Sequence, residues 1–198
     1  LNNANNDDKT YTSLNPKIGV MWNFDPASEI YASLTRSSEA PTFSELVQGA
    51  LPGFVPVDMQ KAWTGEIGTR GSHGAFSWDV GVYHAQVRDE LLNFTVTPDI
   101  PASTFNADKT IHQGIELGAG WQATDTLSFN VIYNFNDFRF DGDTQYGDND
   151  LAGAPPHQIR LSAKYEGSNF FLEPNVEIVP EAAWVDYANT MKSDAHAL

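Results

Sequence analysis

The chain contains no cysteine. That excludes a disulfide framework, a thiolate metal site and a cysteine nucleophile. It also lacks any run approaching the roughly 18 apolar residues that a membrane helix requires. Basic residues are scarce: 11 Lys and Arg stand against 26 Asp and Glu, for a formal net charge of −15. With no clustered basic stretch, phosphate backbones are repelled, and no nucleic-acid partner is expected. No G-x-S-x-G elbow and no phosphate-binding glycine loop occurs, so common hydrolase and nucleotide signatures are missing. The polar opening (Leu1-Asn2-Asn3-Ala4-Asn5-Asn6-Asp7-Asp8) is not a signal peptide. An exported protein beginning this way is expected to be a processed chain or a piece of a longer one.

What is present is a rhythm. Tight turns at 25–28, 71–74, 123–126 and 166–169 alternate with long polar connections at about 37–60, 88–108, 141–156 and from 180 onward. Between them, apolar residues recur every second position. Phe76, Trp78, Val80 and Val82 oppose Ser77, Asp79, Gly81 and Tyr83; Leu127, Phe129, Val131, Tyr133 and Phe135 oppose Ser128, Asn130, Asn134 and Asn136. Period two with one apolar face predicts strands, and helical spacing fails. The pattern predicts about eight, roughly 17–24, 29–36, 60–71, 75–87, 109–122, 127–140, 157–166 and 170–179. A single helical turn is expected near 42–47, and a bulge at Pro174, which cannot donate to a ladder.

Strands near ten residues with one apolar and one polar face suit a transmembrane barrel, in which only alternate residues meet lipid. The expected fold is therefore all-β: an antiparallel, up-and-down barrel segment with short inner turns and long outer loops. Aromatics gather beside the turns (Trp22, Phe24, Tyr31, Phe76, Trp78, Trp121, Tyr165), as an interfacial girdle requires, although plain strand-end packing would place them there too. His84 falls on the apolar face about eight residues past Phe76, which places it near the far interface.

Three stretches carry a family resemblance. They are Asn15-Pro16-Lys17-Ile18-Gly19-Val20, Ile30-Tyr31-Ala32-Ser33-Leu34-Thr35-Arg36, and Ala40-Pro41-Thr42-Phe43-Ser44-Glu45-Leu46. In this order they resemble TonB-dependent outer-membrane receptors. Lys61 to Gly71, Thr110 to Leu117 with Gly114 and Glu116, and Gly153 to Leu161 with Pro156, look like the same family's barrel. The resemblance implies a barrel of 22 strands preceded by a plug domain that contacts TonB. Residues 1–198 are then expected to be a late part of that barrel, without plug or closing strand. It implies Gram-negative outer-membrane location, import of a scarce nutrient, most often a ferric siderophore, and partners comprising membrane lipid, lipopolysaccharide, the TonB complex through the plug, and a small iron chelate. No resident cofactor and no enzymatic activity are expected. The motif residues Pro16, Gly19, Tyr31, Arg36, Pro41, Glu45, Leu46, Gly114, Glu116 and Pro156 are expected to be structural.

Ligand contact in such a receptor belongs to outer loops, where aromatics stack on chelate faces and arginines pair with anionic groups. The candidates are Arg36, Phe43, Arg88, Phe94, Tyr146, Trp184 and Tyr187. The acidic run Asp141-Gly142-Asp143-Thr144-Gln145-Tyr146-Gly147-Asp148-Asn149-Asp150 offers hard oxygens for calcium. It breaks the EF-hand pattern, with tyrosine where glycine is required, so a solvated acidic loop, or divalent bridging to lipopolysaccharide, is the plainer expectation. None of the five histidines pairs at a metal-ligand spacing, although His112 in the lumen or His157 at a loop re-entry could meet haem. Two alternatives remain: an outer-membrane barrel enzyme, for which Ser72-His73 lie at the wrong end, and a soluble carbohydrate-binding β-sandwich.

Overall fold

A computed structural model describes residues 7–48, 53–94 and 103–198. Ten strands form one antiparallel sheet: β1 (Lys17–Asp25), β2 (Ser28–Glu39), β3 (Gln60–His73), β4 (Phe76–Phe94), β5 (Ser103–Thr124), β6 (Leu127–Phe140), β7 (His157–Glu166), β8 (Phe171–Leu172), β9 (Asn175–Val179) and β10 (His196–Ala197). Each strand from β1 to β7 pairs with the next; β8 and β9 both pair with β7, and β10 pairs with β9. The sheet is open, with β1 and β10 at its edges. A single sheet excludes the sandwich. One helical turn, α1 (Phe43–Leu46), lies where 42–47 predicts it.

Register converts the alternation of each strand into two faces of the whole sheet. One row runs Gly71, Trp78, Ala119, Val131 and Leu161; the next runs Thr69, Val80, Leu117, Tyr133 and Ile159, and the one after it Ile67, Val82, Ile115 and Phe135. Opposite them lie Glu66, Tyr83, Gly114, Asn136 and, beyond the strand end, Pro156. Among the described residues nothing covers the apolar side: Ile18 is 72%, Val20 68% and Ile67 57% exposed. Leaving such a surface in water costs about 25 cal/mol per Å², which favours its burial against an apolar medium. Beside the tight turns the Phe76, Trp121 and Phe129 rings stack at 6.0 and 5.6 Å, packing that strand ends and an interfacial girdle share.

Three boundaries differ from the sequence pattern. β4 and β5 have 19 and 22 residues, so most of the expected loop 88–108 is strand. At about 3.3 Å per residue, β5 is about 70 Å long, against the 9–11 residues that cross a bilayer. The second turn is also tighter than expected: β3 continues to His73, leaving Gly74 (φ 59°) and Ala75 as a two-residue hairpin loop. Pro174 makes no bulge. It interrupts the eighth strand between β8 and β9, but Ser162 faces Asn175 and, three residues on, Tyr165 faces Leu172, so the register does not slip. The Pro174 carbonyl still accepts from the Ala163 N–H at 3.1 Å, and only the missing donor breaks the ladder.

The buried apolar residues are not in the middle of the sheet. Val57, Met59, Ala85, Val87, Ala107, Ile111, Phe140, Leu151 and Ala183 are buried at or beyond the end that carries the long loops. The loop end is therefore where this chain makes a protein core of its own.

Candidate functional site: the loop end of the sheet

On β4, β5 and β6 the apolar face ends at one row, which continues through Gly65 to the apolar Leu34 and Ile18 on β2 and β1. One step beyond Val82, Ile115 and Phe135 come His84, Gln113 and Asp137. His84 Nδ1 lies 2.9 Å from Gln113 Oε1, and Gln113 Nε2 donates to Asp137 Oδ2 at 2.7 Å. This polar chain gives the His84 imidazole a partner on the apolar side of the sheet.

Beyond that row β4 and β5 change character. Asp89 adopts φ 55°, in the left-handed region, and Asn106 Nδ2 caps its carbonyl at 2.7 Å. Past this point Glu90 turns to the polar side and is buried. Its carboxylate accepts from Thr110 Oγ1 and lies 3.1 Å from His112 Nε2, while the His112 ring packs on Phe138 at 4.5 Å. Sequence reasoning placed 90 in a loop and missed this pairing. The alternation does not reveal it, because the reversal at Asp89 is a backbone event.

The same reversal brings Leu92 and Phe105 into a core with Ala107, Phe138, Phe140, Tyr146, Leu151 and Tyr187. Phe105 meets Phe94 at 5.8 Å, Tyr187 at 5.9 Å and Tyr146 at 6.2 Å; Phe140 meets Tyr146 at 4.9 Å. Edge and offset pairs of this kind each contribute about 0.5–1.5 kcal/mol beyond area burial. The Tyr187 hydroxyl donates to the Asn93 carbonyl at 3.0 Å, and burial pushes its pKa above the ordinary phenol range. Three loop candidates, Phe94, Tyr146 and Tyr187, thus converge into one packed cluster.

The other connections are tied down by polar groups. The Glu45 carboxylate accepts from the Thr42 N–H at 2.6 Å and from Thr42 Oγ1 at 2.8 Å, capping α1. Gln48 is buried, and its amide reaches the backbone of Thr104 as donor at 2.9 Å and acceptor at 3.1 Å, standing in for a ladder partner. Such cover blunts an exposed strand edge. Asn106 Oδ1 accepts from the Asp58 N–H at 2.6 Å. Arg36 donates to the Leu14 carbonyl at 2.8 Å, and its own N–H donates to the Pro16 carbonyl at 2.9 Å, so it fastens the chain entering β1.

The acidic run is not a cation cage. Asp141 pairs with Lys109, and that hydrogen bond holds its carboxyl below the usual aspartate range. Asp143 accepts from the N–H groups of Gln145 and Tyr146 at 2.8 and 2.9 Å, and Asp148 from the N–H of Gly142 at 2.9 Å. Asp150 accepts from Trp184 Nε1 at 3.0 Å. Each carboxylate closes a turn or joins two connections. Among the described residues no group of three His, Asp or Glu side chains could hold a metal ion. His157 contacts the Tyr133 hydroxyl at 2.9 Å.

The remaining candidates separate. Phe43 is 78% exposed on α1. Trp184 bridges to Lys192, whose Nζ sits 4.2 Å from the indole centroid. Arg88 is a strand residue, not a loop residue, and lies on the apolar-face side between Lys61 and Lys109. Of the structural motif residues, Gly114 is a true close approach. A Cβ there would lie 2.7 Å from the Tyr83 hydroxyl and closer still to the Phe135 carbonyl, whereas Gly19 has ordinary space. The Pro156 carbonyl accepts from the Asn136 N–H at 2.9 Å, joining the loop 141–156 back to the sheet.

A two-faced, open antiparallel sheet with loops gathered at one end is the architecture of part of a large barrel. The family model for TonB dependent receptor-like, beta-barrel proteins matches residues 1–198, and the chain belongs to this family. The ferrioxamine receptor of Yersinia enterocolitica is 25% identical over 203 residues, covering 100% of this chain and 27% of that protein. The copper transporter OprC superposes with a TM-score of 0.74 at 16% identity, over 91% of this chain and 29% of that one. The ferric citrate transporter FecA gives 0.71 at 21% identity, over 93% and 29%. The ferric yersiniabactin uptake receptor FyuA from Yersinia pestis gives 0.70 at 18%, over 91% and 28%. The chain therefore spans between a quarter and a third of the length of these receptors and transporters.

Proposed function

We propose that this chain is an arc of an outer-membrane receptor of a Gram-negative bacterium. The whole receptor imports a ferric siderophore with energy from the TonB complex. Its parent barrel has 22 strands, of which this arc supplies about eight to ten, and a plug domain elsewhere in the receptor contacts TonB. The observation that carries the reading is the division of β4, β5 and β6: an exposed apolar band below the His84–Gln113–Asp137 row, and a self-packed loop core above it. The band matches lipid, and the polar face matches a water-filled lumen. The ferrioxamine receptor among the relatives favours a ferric hydroxamate-type chelate as cargo.

Within the arc, Phe43, Phe94 and Trp184 are the proposed ligand contacts, because each presents ring surface at the loop end. Tyr146 and Tyr187 order the loops that present them, Arg36 anchors the strand entry, and Arg88 belongs to the membrane side. An enzymatic reading has less support: Ser72 and His73 sit at the turn end, and the Glu90–Thr110–His112 group is spent on internal hydrogen bonds. The test is a binding panel of ferric chelates on the full-length receptor, read by tryptophan quenching. Phe43→Ala is expected to weaken the preferred chelate about tenfold, the loss of one stacking contact. Tyr187→Phe is expected to leave affinity unchanged. No saturable binding to any ferric chelate would refute the assignment.

A further inference from the structure

All 11 Lys and Arg lie within the described segments. At the loop end nearly all of them are already engaged. Lys9 pairs with Asp58 at 2.8 Å, Lys61 with Asp89 at 3.9 Å, and Arg139 with Asp137 at 3.6 Å. Lys109 pairs with Asp141, and Lys192 lies over the Trp184 ring. Arg36 is held by the Leu14 carbonyl. Arg88 makes no ion pair among the described residues, but by strand parity it lies on the apolar side. Lys17, also without an ion pair among them, opens β1 at the edge of the sheet, three strands from Phe94. The two arginines that sequence reasoning chose to meet an anionic ligand are thus both elsewhere.

Carboxylates remain in excess. The connection 141–156 carries Asp141, Asp143, Asp148 and Asp150 and no Lys or Arg. Of these only Asp141 has a cation within ion-pair distance among the described residues. Asp143 and Asp148 accept backbone N–H groups of their own loop, which fixes the carboxylates without neutralising them. Asp148 is exposed and Asp143 half-buried. Their loop is joined to the proposed ring contacts: Tyr146 meets Phe105 at 6.2 Å, and Phe105 meets Phe94 at 5.8 Å. Asp150 accepts from the Trp184 indole at 3.0 Å, and Glu45 stands two residues beyond Phe43 on α1. A concave surface lined by one sign of charge concentrates ligands of the opposite sign and slows the approach of its own.

We infer that this loop end selects its cargo by charge: it admits a ferric chelate that carries a cationic group and turns away anionic ones, with Asp143 and Asp148 as specificity-determining residues. The two carboxylates do not hold the cargo. They set the sign of the field over Phe43, Phe94 and Trp184, which do. Ferric chelates divide along this line. A hydroxamate gives up one proton per bidentate group, so three of them neutralise the ferric ion, and the net charge is that of any appended group. A catecholate gives up two, so three of them leave the complex triply negative. The inference rests on the reading that the loop end receives a ferric chelate, and it narrows that cargo to one charge class.

The test uses the full-length receptor in detergent and one linear ferric trihydroxamate in three forms. Its terminal amine is free, acetylated or succinylated, which makes the chelate cationic, neutral or anionic around the same iron core. Binding is read by tryptophan quenching. Affinity is expected to fall in that order, by about tenfold from first to last at about 10 mM salt, where the Debye length is about 30 Å. The span is expected to shrink to about twofold at about 1 M salt, where that length is about 3 Å. The double variant Asp143→Asn, Asp148→Asn keeps an oxygen acceptor for each turn and removes both charges. It is expected to cut the low-salt span to about threefold, whereas Asp125→Asn, in the tight turn between β5 and β6, is expected to leave it unchanged. Heat-modifiable migration checks that each variant is folded. Saturable binding of all three forms with equal affinity, or tightest binding of the anionic form, overturns charge selection and leaves the import reading standing. A tenfold span that survives in the double variant overturns the assignment to Asp143 and Asp148. Saturable binding of no ferric chelate at all overturns the underlying reading.

Discussion

Tyr83 lies against Gly114, its hydroxyl 2.7 Å from where a Cβ would stand, and that hydroxyl donates onward to Asn136 Oδ1 at 3.1 Å. The glycine is what lets the ring span from β4 across β5 to β6. The same device recurs where Tyr31 meets Gly68.

Gly114→Ala must displace both the Tyr83 ring and the β6 backbone at Phe135. It is expected to destabilise the receptor by about 1–3 kcal/mol, the usual cost of overpacking. Gly65→Ala, at a position with open space, is expected to be neutral within about 0.5 kcal/mol. Urea unfolding of the full-length receptor in detergent, followed by tryptophan fluorescence, compares the two. Equal destabilisation would contradict the assigned role of Gly114.

Tyr187 joins the connection after β9 to β4 through the Asn93 carbonyl, to β5 through Phe105 and to β6 through Phe140. Tyr187→Phe loses one hydrogen bond, about 1 kcal/mol, and keeps the ring contacts. Tyr187→Ala also loses the ring contacts of a half-buried side chain, about 2 kcal/mol. Limited trypsin digestion at Lys192 reads the difference: cleavage is expected to accelerate in the alanine variant and to change little in the phenylalanine variant.

Asp186 organises that same connection. Its carboxylate accepts from the Met191 N–H at 2.8 Å, and from the Thr190 hydroxyl and N–H at 2.8 and 3.0 Å. These bonds, the Met191 one foremost, lower its pKa below the ordinary aspartate value. A depressed folded pKa means that the stabilisation is fully present above the unfolded value of about 3.9 and is lost as pH falls through the lower folded value. Amide exchange at Thr190 and Met191, normalised for intrinsic pH dependence, is expected to lose protection below about pH 4. Asp186→Asn is expected to abolish that acid transition; its persistence in the variant would reject the assignment.

Gln48 closes the free side of β5 through both of its amide contacts with Thr104. Gln48→Leu removes both bonds from a buried site, with an expected cost of about 1–3 kcal/mol. Hydrogen exchange at Thr104 is expected to rise sharply, whereas exchange at Tyr83, in the same hairpin but inside the sheet, is expected not to change.

The sheet was legible in the sequence because alternation is local: Phe76, Trp78, Val80 and Val82 declare a face by themselves, and the tight turns set register. The ends of β4 and β5 were hidden. Past Arg88 the chain looks polar and irregular, because Asp89 reverses the faces and Glu90 is buried through partners 20 and 22 residues away. The candidate site divided for the same reason. Phe94, Tyr146 and Tyr187 could be chosen as loop aromatics, but their convergence depends on Phe105, which fell in the expected connection 88–108 and proves to lie on β5, and on Phe140, which closes an expected strand. Arg88 was assigned to a loop because its row with Lys61 and Lys109 exists only across strands.

The central claim concerns import, and uptake of radiolabelled ferrioxamine by cells carrying the full-length receptor as their sole ferrioxamine route tests it most directly. Cells with an intact TonB complex are expected to accumulate iron, and otherwise identical cells lacking TonB are expected to bind the chelate at the surface without accumulating it. Accumulation that is the same with and without TonB, or surface binding of no ferric chelate at all, would contradict the account.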